Sequence, residues 1–141
     1  WYVDNSTIEV GNAFGGSIYI AVDAGSELGI FNVLISNAIE APQYIHGETD
    51  VSDWLQSIRN HSAPWAEIGS NLFILSVPSQ EIRNLDNPDE LMDWWDQALG
   101  MEHSLYGFTP WPRIERAVFD AQISAGWMHS GYPFMAHDLS V

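Results

Sequence analysis

The run R-I-E-R-A-V-F-D-A-Q-I-S-A-G-W-M-H-S-G-Y-P-F-M-A-H, residues 113–137, is the densest in chemically specific side chains of this 141-residue chain. Its first part alternates, with Val118, Asp120, Gln122 and Ser124 on one side and the apolar residues Ala117, Phe119, Ala121 and Ile123 on the other. This period of two predicts a β-strand with one mainly apolar face, although Ile114, Ala117, Val118 and Ala121 also fit helical spacing. Gly126 and the triplet Gly131-Tyr132-Pro133 then predict a bulge, bend or loop against a site.

Residues 1–48 are predicted to be rich in β-structure. Apolar residues alternate in 17–22 and again in 31–36, and residues 23–29 between them carry turn-forming side chains. Two alternating runs joined by such a connection predict a β-hairpin.

A first helix is predicted to begin at Asp50, whose side chain can cap the first turn. Its apolar residues recur at helical spacing, at Val51, Trp54, Leu55 and Ile58. Pro64 prevents continuation. Residues 63–67 are predicted to be a connection, leading into a buried strand over 72–77 that Pro78 closes.

A second helix is predicted from Asn87 as cap, with Pro88 at the first helical position and Glu90 completing a capping box. Its apolar stripe comprises Leu91, Trp94, Trp95, Ala98 and Leu99, and Gly100 is predicted to end it, with a loop over 101–112. The acidic residues Asp89, Glu90, Asp93 and Asp96 crowd the remaining face. They could include a general acid and base, as in glycosidases, but such a face is more commonly solvated charge.

These elements predict an α+β fold, with a β-hairpin or small mixed sheet and at least two packed amphipathic helices. The length suits one domain, residues 1–141, with a β-rich part (1–48) and an α+β part (49–141). Hydrophobic residues make up 46% of the chain, which is enough for a core.

The charge balance excludes some partners. The chain has nineteen acidic residues, four Arg and no Lys, for a formal net charge of −15. Such a field repels phosphate backbones and anionic membranes, so we expect no nucleic-acid binding. No apolar run is long enough for membrane insertion. Attraction of calcium remains an alternative to a simple solubility role, without a D-x-D-x-D-G loop to support it.

The sequence contains no complete catalytic or metal-binding motif. It has no Cys, and its His residues, at 46, 61, 103, 129 and 137, include no i, i+4 pair and no H-E-x-x-H. His129 and His137 could share a metal, although hydrogen-bonded polar residues at a strand end are the commoner case. Four Trp are candidates for exposed sugar-stacking platforms: Trp1, Trp65, Trp111 and Trp127.

Several stretches, read in order, resemble the enhancin-type, mucin-degrading zinc metallopeptidases (peptidase family M60). They are F-G-G-S-I-Y-I (14–20), A-P-Q-Y-I-H-G (41–47), Trp54 with A-P-W-A-E (63–67), V-P-S (77–79), Leu91 to Asp96, and the 113–137 run containing Q-I-S-A-G-W-M-H-S-G-Y-P. Each match alone is weak, whereas the ordered set is specific.

The resemblance implies a secreted or surface zinc endopeptidase that cleaves O-glycosylated mucin-like proteins. In that family zinc is bound by H-E-x-x-H on a helix and by a downstream Glu. This chain reaches Val141 without that helix. We therefore expect the N-terminal portion of a catalytic domain, incomplete and inactive alone, with no catalytic residue or metal ligand of its own. Zinc and the remainder of the domain are expected in the intact extracellular or cell-surface parent.

The segment 126–136 is predicted to form one wall of the substrate cleft. Its edge could pair with an extended mucin-type glycoprotein or peptide by β-addition. The candidate substrate-binding residues are Trp127, His129, Ser130, Gly131 and Tyr132. Alternatively, Gly-Tyr-Pro is only a packing corner. The rival functions are a non-catalytic glycan- or protein-binding module and a regulator like the channel-associated factors that carry an enhancin-like domain.

Overall fold

The computed structural model describes residues 2–13, 15–23, 25–107, 113–123 and 126–141. The chain divides into two compact units, Trp1–Asn37 and Ala38–Val141. The prediction of a single incomplete domain that ends before a metal-binding helix stays a prediction.

The predicted β-hairpin in the first unit is wrong. The described residues of 2–37 form neither strand nor helix, and their side chains are exposed. A turn does form, since the Ser26 N–H donates to the Asp23 carbonyl at 3.0 Å. Ile18 and Leu34 remain 57% and 95% exposed. A two-stranded ribbon with no packed face is marginal in water, so alternation alone does not produce strands here.

The second unit contains a six-stranded mixed sheet, which confirms the predicted α+β class. Its strands are β1 (Gln43–Ile45), β2 (Trp65–Gly69), β3 (Phe73–Pro78), β4 (Glu115–Phe119), β5 (Met128–His129) and β6 (Phe134–Ala136). They lie in the order β1-β2-β3-β4-β6-β5. The pairs β2–β3 and β5–β6 are antiparallel, and the other neighbours are parallel.

The strand predictions for this unit hold in part. β3 confirms the buried strand before Pro78, and β4 confirms a strand at the start of the 113–137 run. The predicted connection at 63–67 is wrong, because β2 begins at Trp65. Pro64 lies just before β2 and does not interrupt it. Ala66 and Ile68 are buried on one face of β2, and pairing with β3 stabilises the strand.

Both predicted helices form. α1 (Val51–Gln56) is capped by the Asp50 side chain, which accepts from the Ser52 N–H at 2.6 Å. α2 (Pro88–Tyr106) begins where predicted, but it continues through Gly100, and Gly107 ends it with φ 67°. A glycine inside a helix costs only about 1 kcal/mol, so the following turn of ordinary helix formers extends α2. Residues 101–106, predicted to be loop, are therefore helical, and 108–112 lie outside the described residues.

The core lies between one face of the sheet and the helices. Trp54, Tyr44, Ile68 and Met92 are its largest buried aromatic and aliphatic side chains. Trp95 of α2 stacks on Phe73 with centroids 4.5 Å apart. The core stripe of α2 contains Leu91, Trp95 and Leu99, as predicted, together with Met92. Trp94, also predicted to lie on that stripe, is instead 60% exposed. No helix in the described ranges is long and apolar enough to cross a bilayer.

Candidate functional site

Strand β5 lies at one end of the sheet. It pairs with β6 through Met128↔Ala136 and His129↔Met135, and the His137 N–H donates to the Trp127 carbonyl at 2.9 Å. Among the described residues no strand pairs with the other side of β5. An outermost strand presents backbone donors and acceptors with which an extended peptide can pair.

An aromatic platform borders β5. The Trp127 indole stacks on the His137 imidazole with centroids 4.9 Å apart and planes at 10°, and Trp127 stays 54% exposed. The His137 ring is held by a hydrogen bond of its own, since its Nδ1 accepts from the Leu139 N–H at 3.2 Å. The exposed indole is thereby oriented before any ligand arrives.

Tyr132 is anchored from the opposite end of the same segment. Its hydroxyl donates to the Ile114 carbonyl at 3.0 Å, and the Arg113 guanidinium lies 4.0 Å from the ring centroid. A cation over a ring face is attracted by the ring quadrupole. The ring remains 47% exposed, so the same residue both fixes the loop to the start of β4 and offers an aromatic surface.

The predicted binding residues therefore occupy one continuous segment at the sheet edge. His129 is half-buried on β5, while Trp127, Ser130, Gly131 and Tyr132 are exposed around it. The His129 Nδ1 lies 3.4 Å from the Ser130 carbonyl. Of the other candidate platforms, Trp65 is half-buried in β2, and Trp1 and Trp111 lie outside the described residues. A binding role for the segment stays a prediction.

A second polar cluster was not predicted from the sequence. The Asp89 carboxylate of α2 accepts from the Tyr44 hydroxyl at 2.5 Å and lies 2.8 Å from His46 Nδ1. The other ring nitrogen, Nε2, lies 3.3 Å from Asp93 Oδ1. Tyr44 and His46 are two apart along extended chain, and Asp89 and Asp93 are four apart on a helix. Each spacing places its pair on one face, which is the signal that could have identified the cluster.

The cluster is arranged to hold a proton on the imidazole. The hydrogen bond to Asp89 raises the pKa of His46, against the opposing effect of burial. The Tyr44 hydroxyl lowers the pKa of Asp89, with His46 adding to that effect. Burial, then Asp89, raises the pKa of Tyr44 above its usual range. An imidazolium that faces a carboxylate at each nitrogen is the state that this geometry favours.

A pocket of about 420 Å³ opens beside this cluster, lined by Tyr44, His46, Gly47, Glu48, Thr49, Asp50, Val51 and Asp89. Because Glu48, Asp50 and Asp89 line this pocket, it would repel an anionic ligand. Within the described parts of the chain, no group of three or more His, Asp and Glu side chains could hold a metal ion. The zinc that the resemblance implies for the intact parent stays a prediction.

Comparison with known families matches residues 37–141 to the model of peptidase M60, enhancin and enhancin-like. The match covers the whole of the second unit.

Curated relatives are similar along nearly the whole chain. A TRPM8 channel-associated factor homolog from Xenopus laevis is 46% identical over 97% of this chain. TRPM8 channel-associated factor 2 of Bos taurus and factor 1 of Homo sapiens are each 40% identical over 99%. The chain spans only about 15% of the length of each of these relatives.

Two solved structures share the fold at low identity. The M60 catalytic domain of Clostridium perfringens ZmpC, in complex with the sialyl T antigen, superposes with a TM-score of 0.57 at 9% identity. The superposed region covers 71% of this chain and 24% of the ZmpC chain. The ZmpB metallopeptidase of the same species superposes with a TM-score of 0.58 at 12% identity. The superposed region covers 70% of this chain and 24% of the ZmpB chain.

Proposed function

We propose that this chain, which belongs to the enhancin and enhancin-like peptidase M60 family, is part of a TRPM8 channel-associated-factor type of protein and supplies it with a partner-binding edge. One observation carries the proposal. Identity to curated factors is 38–46% along nearly the whole chain, against 9–13% for the M60 peptidases of known structure. The chain spans only a small share of the length of those factors. The activity of the whole protein is therefore proposed as well.

The binding edge is β5 with its two exposed rings. An extended segment of the partner would pair with the outer side of Met128 and His129, as in β-strand addition. Trp127 and Tyr132 then contact side chains on either side of that segment. Both rings are already oriented, by His137 and by Arg113, so little side-chain entropy is lost on binding.

A pull-down tests the proposal. The tagged chain is incubated with detergent-solubilised TRPM8, and retained channel is quantified for the wild type and for the double variant Trp127→Ala, Tyr132→Ala. We expect retention by the wild type and a loss of about tenfold or more in the double variant, as for aromatic anchors. Tyr2→Ala, which removes a 93% exposed aromatic ring elsewhere, is the matched control. Equal retention by all three proteins would contradict the proposed edge.

The second candidate is a portion of a mucin-type glycopeptidase. It is favoured by the shared fold with an M60 catalytic domain whose structure contains the sialyl T antigen. In that case the substrate is an O-glycosylated protein outside or on the surface of the cell. Zinc would be bound by residues outside this chain. The role of the β5 segment would be to position the glycopeptide, with sugar stacking on Trp127.

A glycan titration separates the two candidates. Sialyl T antigen is added to the chain while tryptophan fluorescence is recorded, with Trp127→Phe as the matched variant. Saturable quenching that disappears in Trp127→Phe supports the glycan role. A flat titration, together with channel retention, assigns the edge to protein binding.

A further inference from the structure

Helix α2 carries a second apolar stripe in addition to the one that faces the core. We name it the α2 stripe, and it consists of Trp94, Ala98, Met101 and Leu105. Consecutive members are alternately three and four residues apart, which is the spacing of a helix-docking seam. The core stripe contains Leu91, Met92, Trp95 and Leu99, and the α2 stripe lies on the adjacent side of the same helix.

The α2 stripe is exposed along most of its length. Trp94 is 60% exposed, Met101 68% and Leu105 82%. These large side chains form one line on one element, whereas scattered exposed hydrophobic residues are ordinary. Within the part of the chain that the structure describes, α2 contacts β2 and β3, and Trp95 of the core stripe stacks on Phe73 of β3.

Trp94 has the properties of a binding anchor. Its ring packs edge-on against Trp95, with centroids 4.9 Å apart and planes at 88°, and Trp95 in turn stacks on the buried Phe73. The outermost indole is therefore the end of an aromatic series that starts in the core. An exposed Trp held in this way loses little freedom on binding, which is typical of interface hot spots.

The charges beside the α2 stripe select the kind of partner. Glu90 lies one helical turn before Trp94, Glu102 is adjacent in sequence to Met101, and α2 contains no Lys or Arg. A second copy of this chain, with a net charge of −15, would bring like charges together across the contact. A helix with Lys or Arg beside its own apolar residues would instead pair with these carboxylates.

We propose that the α2 stripe docks an amphipathic helix of a partner protein whose apolar residues are flanked by Lys or Arg. The mode is helix against helix, with Trp94, Met101 and Leu105 as the anchors. This surface is distinct from the β5 edge and does not depend on the function proposed above.

The probe is a synthetic peptide of Leu and Lys, equal in length to α2, with Leu at helical spacing. Its control is a scrambled peptide of the same composition and charge. Labelled peptide is titrated with the full chain, and binding is followed by fluorescence anisotropy. We expect the patterned peptide to bind at least about tenfold more tightly than the scrambled one, because only the patterned peptide forms an apolar face. Equal binding of the two peptides would overturn the proposal.

Matched variants place the contact on α2. Leu105→Glu and Ser104→Glu add the same charge at neighbouring exposed positions, and only the first lies on the stripe. We expect Leu105→Glu and Trp94→Ala each to weaken binding by about tenfold, and Ser104→Glu to leave it unchanged. Near-ultraviolet circular dichroism checks that each variant stays folded.

Two results would refute the assignment. One is equal affinity of Leu105→Glu and Ser104→Glu. The other is a concentration-dependent dimer in analytical ultracentrifugation that Leu105→Glu abolishes. This would show that a second copy of the chain binds the stripe. A monomer at all concentrations is the expected result.

Discussion

At the scale of single residues, His46 lies between two carboxylates. It follows β1 and contacts two carboxylates of α2, one at each ring nitrogen, at 2.8 and 3.3 Å. The protonated ring thus connects a sheet edge to the start of a helix. A neutral ring can donate only one of these hydrogen bonds.

The stability of the second unit is predicted to depend on pH through this pair. Because the pKa of His46 is raised above 6.5, its contribution is fully present below about pH 6.5 and is lost as pH rises through the raised value. Because the pKa of Asp89 is lowered below 3.8, its contribution is present above that value and is lost as pH falls through the lowered one. The free energy of unfolding should therefore be highest between these limits.

Urea unfolding across this range measures the effect. His46→Gln should flatten the fall in the free energy of unfolding on the alkaline side. His129→Gln is the control, since its ring nitrogen contacts a carbonyl, and it should keep the wild-type profile. An unchanged profile in His46→Gln would show that the pair contributes nothing.

Among the tryptophans that the structure describes, Trp54 is predicted to be the costliest to replace. It is fully buried, and its Nε1–H donates to the Leu85 carbonyl at 2.8 Å. Trp54→Ala should lower the free energy of unfolding by about 3–5 kcal/mol, through the lost burial and the cavity. The matched control Trp94→Ala removes a 60% exposed ring and should cost less than about 1 kcal/mol. Similar midpoints in chemical denaturation for the two variants would contradict the assigned core.

At the scale of elements, α2 is the part of the chain most strongly marked by local sequence. Asn87 Oδ1 accepts from the Glu90 N–H at 3.3 Å, which is the first half of the predicted capping box. The Glu90 carboxylate accepts at 3.0 Å from the Asn87 side-chain Nδ2, where a capping box uses the backbone N–H of the cap residue. The prediction that α2 ends at Gly100 is wrong, because a glycine can lie within a helix as well as end one. Gly107, in the left-handed conformation, terminates α2.

Removing the cap is predicted to cost about 1 kcal/mol in Asn87→Ala, because the Glu90 N–H loses its acceptor. Asn87→Ser retains an acceptor at the same position and should cost only a few tenths of that. The free energy of unfolding in urea, measured for both variants, checks the difference. Equal losses would mean that the hydrogen bond does not stabilise the helix.

At the scale of the whole molecule, acidic side chains dominate the surface. Nineteen acids against four Arg give a net charge of −15, and among the described residues only a few acids lie in ion pairs with Arg. Uncompensated like charge destabilises a compact state by self-repulsion.

Salt is therefore predicted to stabilise the protein. Raising NaCl from low to physiological ionic strength shortens the screening length to about 8 Å and should raise Tm by a few degrees. The control variant Glu40→Lys, Glu48→Lys, Glu102→Lys replaces three exposed acids, so its Tm should respond less to NaCl. An equal response in differential scanning calorimetry would assign the effect to something other than charge repulsion.

Local sequence alone determined the helix starts at Asp50 and Asn87, the buried strand before Pro78 and the α+β class. Each of these depends on contacts within a few residues, such as a cap, a proline or an apolar period. Local sequence failed where local patterns were ambiguous. The hairpin in residues 17–36 had the right alternation but no packed face, and β2 lacked a strong pattern and is stabilised by its neighbours.

Only the tertiary structure decided which distant side chains meet. His46 and Asp89 lie on different elements, and so do Arg116, Glu67 and Ser76, which contact one another across β4, β2 and β3. The exposed position of Trp94 likewise follows from how α2 rotates onto the sheet. Sequence spacing places residues on a face, but which face becomes buried depends on the packing of elements that lie far apart along the chain.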